Sequence, residues 1–498
     1  MRNIRVNTVL NMGVLVLNFF SRKIFLDCLG ADVIGLNSTL YNILEFLNFA
    51  ELGIMSGVRF MLYKPFHDNE TSAINDIITL QGLIYRVISL AIIFLAVVVM
   101  FFLPVIFGKM TLPLWYAYAS FGVLLYSYLI GNFVNYRQVM FDVSQHSYIL
   151  TRYSVSLSVA KTCFQMLAIY YSANGYIWWL VSEVVFSSVA CLMIYGITQR
   201  HYPFLDRSEL SFRELLRKYG VLVVKVRQLF FHRMGSIVLT KTTPVIIYAF
   251  TTLSEVALYG NYKMLVRGME TLVNISFWSI GPGIGNLVAE NDREKTVAIF
   301  HEIYVVRMLM TCVSVYCLMT FSSPFISLWL GGVYLLDSAT VSIIAASLAL
   351  AMVRMPFDMF TQASGMFQDI WAPVFEAVMN IGCALAGGYL YGLNGILCGG
   401  MVGSVVIVLI WKPWFLFRRG FGRGCSTVYI QLGNMCAGAA VSVLIVSILL
   451  KGFPISGCES WTCFVCGAIL QSGLFSATLL VYAYLTDRFF RKFISRFR

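Results

Sequence analysis

An all-α integral membrane protein of about fourteen transmembrane helices is predicted by three features. The composition is overwhelmingly apolar, apolar runs of about twenty residues recur along the whole chain, and basic loops alternate with loops nearly free of Lys and Arg. The 498 residues are 59% hydrophobic and only 12% charged, with a mean hydropathy of +0.78. A soluble globule of this size needs far more polar surface. At about 1.5 Å per residue, about twenty residues cover the roughly 30 Å of bilayer hydrocarbon.

Apolar windows place helix starts near Val6, Gly35, Leu80, Leu112, Tyr148, Tyr176, Val226, Val256, Phe300, Ser338, Trp371, Asn394, Tyr429 and Trp461. The first could pass for a signal peptide, because Arg2 and Arg5 precede an apolar stretch. That stretch runs on to about Leu29 with no small-x-small cleavage site after it, so it is expected to remain as a membrane helix. Most of the twelve cysteines sit singly in apolar segments, where a thiol behaves as a small hydrophobe. Cys458, Cys463 and Cys466 cluster near an outer loop without a His or fourth Cys, so no metal site is expected there.

Orientation follows from the loops. One set holds Lys64, Arg137, Arg200, Arg207, Arg213, Arg217, Lys218, Arg293, Lys295, Arg418, Arg419 and Arg423, whereas the other has little beyond Lys109 and Lys451. The positive-inside rule makes the basic set cytoplasmic. The tail after Asp487 is basic too, so both termini are expected in the cytoplasm and the helix count is expected to be even. The net charge of +12 is then topology plus attraction to anionic headgroups, and no nucleic-acid partner is implied.

The long cytoplasmic stretch from Thr198 to Lys225 reads as a linker between lobes. On either side, two helices, an acidic loop and a helix with an early Arg follow in the same order: Lys64 to Asp76 then Arg86, and Glu290 to Lys295 then Arg307. At an offset of about 225 residues, Asn42 and Glu45 fall opposite Arg267 and Glu270, a weak internal symmetry. The expected organisation is an N-terminal lobe over 1–218, a C-terminal lobe over 219–425 and two added helices with a basic tail over 426–498. The two six-helix lobes would be parallel repeats about an axis along the membrane normal, with a cleft between them.

The informative residues are charges deep in apolar segments. A Lys or Arg at a helix centre costs about 2.5–3.5 kcal/mol on insertion scales, so several of them imply a protein-lined or watery interior. The cations are Arg22, Lys161, Arg233, Lys241, Lys263, Arg267 and Arg354, and the acids Glu45, Glu51, Glu183, Glu270, Asp358 and Glu376. Lys263, Arg267, Glu270 and Asn274 recur at helical spacing as one polar stripe, which is expected to face a cavity. Asn42, Glu45 and Asn48 form a shorter stripe, and Arg354 with Asp358 is an i,i+4 pair. Lys241 precedes Pro244, which is expected to kink its helix.

The competing explanation is that these charges pair off or snorkel. Snorkelling is expected for Arg59, Arg86, Arg307 and Lys412, close to the cytoplasmic face. Arg22, Lys241, Lys263 and Arg267 outnumber nearby acids, and a cationic cleft suits a phosphate or diphosphate, which Arg grips through two parallel hydrogen bonds. Glu45, Glu51, Glu183, Glu270 and Asp358 are then counter-charges or sites for a coupling H⁺ or Na⁺. Gly281-Pro282-Gly283-Ile284-Gly285 lacks the Gly-Lys-Ser/Thr ending of a phosphate loop. The five histidines are scattered, and no ATP module or nucleophile-base arrangement is found, so neither an enzyme nor a cofactor is expected.

Short motifs run through most of the chain: Arg22-x-x-Phe25, Leu29-Gly30, Gly35-Leu36-Asn37, Ala50-Glu51-Leu52-Gly53-Ile54, Leu62-Tyr63-Lys64-Pro65, Leu328-Trp329-Leu330-Gly331, Arg354-x-Pro356-Phe357, Glu376-Ala377 with Asn380, Gly392-x-x-Gly395 and Trp411-Lys412-Pro413. In these the chain resembles the bacterial polysaccharide transporters, the repeat-unit flippases of the multidrug/oligosaccharidyl-lipid/polysaccharide exporter superfamily. The resemblance implies a fourteen-helix, two-lobed fold in the bacterial inner membrane with a cationic cavity. It implies flipping of undecaprenyl-diphosphate-linked oligosaccharide for O-antigen, capsule or exopolysaccharide. The bilayer, and a polymerase and chain-length regulator of the same pathway, are the implied partners. Two transporter alternatives stay open: an H⁺- or Na⁺-coupled multidrug exporter, for which Glu45, Glu183 and Glu270 speak, and a lipid II flippase. A membrane glycosyltransferase or polymerase would need a large outer loop or an acidic catalytic motif, and neither is seen.

Overall fold

The computed structural model describes residues 2–48, 54–220, 242–278, 280–290, 292–366, 368–369, 371–450 and 460–496. These residues are helical, with no strand among them. In chain order the first helices are α1 (Arg2–Leu29), α2 (Ala31–Leu47), α3 (Ile54–His67), α4 (Thr71–Ile106), α5 (Trp115–Val134), α6 (Val139–Val143), α7 (Ser147–Tyr171), α8 (Gly175–His201) and α9 (Phe212–Lys218). After α10 (242–250) come α11 (Leu253–Trp278), α12 (Gly281–Ala289), α13 (Arg293–Leu330), α14 (Ser338–Ala363) and α15 (Trp371–Val405). The last of these continues through π-type turns and α16 (Lys412–Phe415) to Phe421, and α17 (Ser426–Leu449), α18 (Trp461–Thr486) and α19 (Arg488–Ser495) close the chain. Eight stretches among the described residues are long and apolar enough to cross a membrane, so this is a multi-pass membrane protein. The helix expected from Val226 lies mostly outside the described residues.

Two compact units divide the chain, Met1–Ala257 and Leu258–Arg498. In the first, Ile54, Val58 and Leu62 pack with Ile74, Ile77 and Ile78, and the linker residues Leu205 and Leu215 join them. The linker residues up to 220 are folded onto this unit. Asp76 takes the Lys218 ammonium at 2.7 Å and the Ser208 hydroxyl, Thr79 accepts the Ser208 amide at 2.9 Å, and Ser211 with Glu214 forms a capping box on α9. That explains why α4 begins at Thr71, nine residues before its apolar window: the polar first turns are spent on the linker rather than on water.

In the second unit, Phe300 is the hub of an aromatic core, with ring centroids 5.2 Å from Phe360, 5.2 Å from Phe417 and 5.4 Å from Phe357. Asp337 caps α14, accepting the Thr340 amide at 3.1 Å and the Thr340 hydroxyl. The Thr340 side chain holds the Asp337 carboxyl below its ordinary value. A depressed carboxylate stabilises the fold above its unfolded pKa, and that contribution is lost only as the pH falls through the lower, folded one. Asp337→Ala is expected to cost about 1 kcal/mol. In a thermal melt, the gap to the unaltered chain should persist through mild acid and close only below about pH 4.

Within 371–421 the helix breaks at Tyr391 and Gly392, where Gly392 has φ 56° and ψ −135°. A positive φ is cheap only for glycine. The break folds two antiparallel helices together, matching the separate starts expected at Trp371 and Asn394. Gly395, Gly399 and Gly403 recur every fourth residue along the contact. A Cβ added at Gly395 would strike the backbone of Gly387, one at Gly399 that of Cys383 and Ala384, and one at Gly403 that of Glu376. This is the small-xxx-small mode of membrane helix packing. Gly399→Val should force the pair apart, and is expected to lower the thermal midpoint in detergent well below that of a control change at Gly400, whose Cβ direction is open.

Within the cysteine cluster where no metal site was expected, Cys463 is disulfide-bonded. Cys458 lies outside the described residues.

Candidate functional site

In unit 1, α7 and α8 bring together charges that neutralise each other. Lys161 and Gln165, one turn apart on α7, both reach Glu183 on α8. The Lys161 ammonium lies 3.1 Å from Glu183 Oε2, and Gln165 Nε2 donates to Glu183 Oε1 at 2.9 Å and to Ser182 Oγ at 2.9 Å. Both carboxylate oxygens are thereby satisfied, as burial requires. Arg22 is half-buried and donates from Nη2 to the Ala257 carbonyl at 3.1 Å. Glu45 is half-buried on α2, one turn from Asn42, which donates to the Ser38 carbonyl at 2.6 Å. Glu51, Arg233 and Lys241 lie outside the described residues.

In unit 2 the polar stripe forms on α11 as its spacing predicts. Arg267 is exposed, and Lys263, Glu270 and Asn274 are half-buried. Among the described residues no carboxylate comes within 4.0 Å of Lys263 or Arg267. Asn274 at the end of the stripe accepts Arg307 Nη2 at 2.7 Å. Arg307 is only 1% exposed; its Nε donates to the Met352 carbonyl at 3.0 Å and its guanidinium lies 4.8 Å from the Phe277 ring centroid. It was expected to snorkel to the cytoplasmic face. The physical reason for the difference is helix length. α13 begins at Arg293, seven residues before the apolar window at Phe300, so Arg307 lies about 10 Å farther from the helix start than the window implies.

Lys412 corrects the same expectation. It is 9% exposed, with its ammonium 2.6 Å from Asp358 and 3.8 Å from Asp369. Continuous helix on both sides of it holds the side chain inside the unit. Asp358 also meets Arg354 Nε at 3.4 Å, and Arg354 forms a two-pronged pair with Glu376 at 2.9 and 2.8 Å. Ser404 donates to Glu376 at 2.7 Å, Asn380 donates to Ser404 at 3.1 Å, and the Gly403 amide donates to Asn380 at 2.7 Å. The glycine-lined contact of α15 makes this possible, since only Gly403 lets the second helix come so close. Two cations, Arg354 and Lys412, face three acids, Asp358, Asp369 and Glu376, which leaves one negative charge. Such a cluster binds its own members and has no positive charge to spare for an anion.

The candidate cations therefore separate. Lys161 and Arg354 are ion-paired, Arg22 holds a backbone carbonyl, and among the described residues Lys263 and Arg267 have no carboxylate within 4.0 Å. Arg307 and Lys412 are the buried cations that sequence reasoning put at the surface. Only the helical continuity of the polar segments before and after them could have revealed it.

No family model matches the chain, and no curated protein sequence does. Solved structures do match. The lipid II flippase MurJ in its inward closed conformation superposes with a TM-score of 0.67 at 12% identity, covering 98% of this chain and 99% of the flippase. An inward-facing multidrug resistance transporter of the MATE family, in the MOP superfamily, gives a TM-score of 0.60 at 13% identity, covering 82% of this chain and 97% of the transporter. This chain thus has the fold shared by the MurJ lipid II flippase and a MATE transporter of the MOP superfamily.

Proposed function

We propose that this chain is a flippase that moves undecaprenyl-diphosphate-linked oligosaccharide repeat units across the bacterial cytoplasmic membrane, for O-antigen, capsule or exopolysaccharide. The observation that carries the reading is the pair Lys263 and Arg267 on α11, two cations in an apolar helix with no carboxylate within 4.0 Å among the described residues. A cation inside an apolar helix carries an insertion cost that a watery cleft or a bound anion offsets, and a lipid diphosphate is an anion that suits the pair. Alternating access by two rocking lobes of six helices, with helices thirteen and fourteen added and both termini cytoplasmic, moves the headgroup through a polar path while the polyprenyl tail stays in lipid. The sign of the free charge speaks against export of organic cations.

A lipid II flippase is the second reading. It is favoured by the likeness to MurJ over essentially the whole chain, against 82% for the MATE transporter. Both readings place a polyprenyl diphosphate on α11 and differ in the sugars. The test is movement of fluorescent undecaprenyl-diphosphate oligosaccharide in proteoliposomes, run beside fluorescent lipid II. Protein-dependent movement of the repeat unit alone supports the first reading, movement of lipid II alone the second, and movement of neither overturns both.

A further inference from the structure

Unit 1 contains a cavity of about 250 Å³ that none of the charges above touches. It lies where α1 ends, α5 begins and α7 turns into α8, the end of the unit opposite Lys64, Arg137 and Arg200, and so the outer end by the positive-inside rule. Trp115, Tyr116 and Tyr176 line it together with Ser172 and Asn174. We propose that this cavity holds one pyranose ring of the glycan on the outer side of the membrane, an assignment that rests on the flippase reading above.

The lining is built rather than incidental. The Tyr116 and Tyr176 rings stack with centroids 4.2 Å apart and 20° between planes, Trp115 leans on Tyr116 at 4.2 Å, and Trp179 backs Tyr176 at 6.0 Å and 8°. The Tyr176 hydroxyl is fixed inside the unit by Ser120 and donates to the Tyr116 carbonyl at 3.1 Å. Ser120 Oγ in turn lies 2.7 Å from the Asn37 carboxamide. An interfacial aromatic belt looks different: Tyr170 and Tyr171 on α7 are 66% and 79% exposed and do not line the cavity, whereas the lining Tyr176 is 5% exposed.

The polar lip is also held in place. The Asn174 amide donates to Ser172 Oγ at 3.2 Å. At Gly175 an added Cβ would stand 3.0 Å from the Ile169 backbone, so any larger residue there would push the α7–α8 turn apart by a few tenths of an ångström. A carboxamide and a hydroxyl then sit across from aromatic rings. No charged residue lines the cavity, which excludes a diphosphate or a carboxylate as the preferred occupant and favours a neutral, hydroxyl-rich one with an apolar face. A sugar ring has both, its hydroxyls for Asn174 and Ser172 and its C–H face for an indole or phenol. The volume is below the roughly 300–1,000 Å³ typical of drug-sized sites, which limits the occupant to about one ring.

Cys28 is an exposed free thiol on the cavity wall, which provides a probe that needs no transport. The full chain in nanodiscs of phosphatidylethanolamine and phosphatidylglycerol is treated with a membrane-impermeant maleimide, and modification of Cys28 is followed by peptide mass spectrometry. Cys466, exposed on α18, is the internal control. The probes are the methyl pyranosides of glucose, galactose, mannose, rhamnose and N-acetylglucosamine, with sorbitol as the osmotic control. At least one pyranoside should slow Cys28 modification severalfold and saturably without slowing Cys466. That protection should vanish in Trp115→Ala, and in Asn174→Ala should the tryptophan variant fail to fold. Protection by none of the pyranosides, by sorbitol equally, or undiminished in a folded variant overturns the assignment, as does protection that follows the nanodisc lipid instead of the sugar. A chain whose Cys28 is protected by sugar but which moves no lipid-linked glycan refutes the flippase reading alone. A chain that moves the glycan with Cys28 unprotected refutes the cavity assignment alone.

Discussion

Lys263→Ala combined with Arg267→Ala is expected to reduce flipping of a fluorescent lipid-linked oligosaccharide in proteoliposomes by at least about tenfold, with the thermal midpoint nearly unchanged. The expectation of intact stability comes from what the two side chains do not do. Neither makes an ion pair among the described residues, and Arg267 is exposed, so truncation leaves no buried partner orphaned; such substitutions usually stay within about 0.5 kcal/mol. The functional loss is larger because each hydrogen bond to a charged group contributes about 1.5–3 kcal/mol, and every 1.4 kcal/mol is about tenfold. Arg267→Lys keeps the charge and loses the two-pronged grip, so it should fall between the unaltered chain and the double variant. An unchanged rate in the double variant removes α11 from the substrate path.

The stripe on α11 was legible because it needs only the period of one helix: Lys263, Arg267, Glu270 and Asn274 share a face wherever that helix packs. The membrane class and most helix starts were legible for the same reason, since hydrocarbon thickness sets the length of an apolar run. What the sequence hid was any relation between elements. Lys161 and Glu183 are twenty-two positions apart, as are Arg354 and Glu376, and each pair joins two helices whose mutual register no single window contains. Depth was hidden too, where a polar turn prolongs a helix past its apolar window. Arg307 and Lys412 were assigned to the surface because each follows or precedes a basic cytoplasmic stretch by about a dozen residues or fewer, yet α13 starts at Arg293 and the helix through α16 reaches Phe421. The buried acid Asp369, 7% exposed, escaped notice because it follows an apolar helix instead of lying inside one.

Glu376→Ala is expected to be the most destabilising single change considered, lowering the thermal midpoint by several degrees. The Glu376 side chain is fully buried and holds Arg354 through both oxygens, so its removal leaves a largely buried guanidinium on α14 with only the longer contact to Asp358 at 3.4 Å. Breaking a buried pair from one side typically costs about 3–5 kcal/mol. The Ser404 hydroxyl loses its acceptor as well. Removing both partners is a different experiment: Arg354→Met with Glu376→Leu replaces the pair by apolar groups of similar reach, which is often neutral or stabilising. The two variants together separate structural from transport roles. If Arg354 serves only to join α14 to α15, the double variant should melt near the unaltered chain and flip at a similar rate, although Glu376→Ala does neither. If Arg354 also meets the substrate, the double variant should melt normally and still fail to transport. The net negative charge of the Arg354, Asp358, Asp369, Glu376 and Lys412 cluster favours the first outcome, because an anion approaching it meets more carboxylate than guanidinium and ammonium.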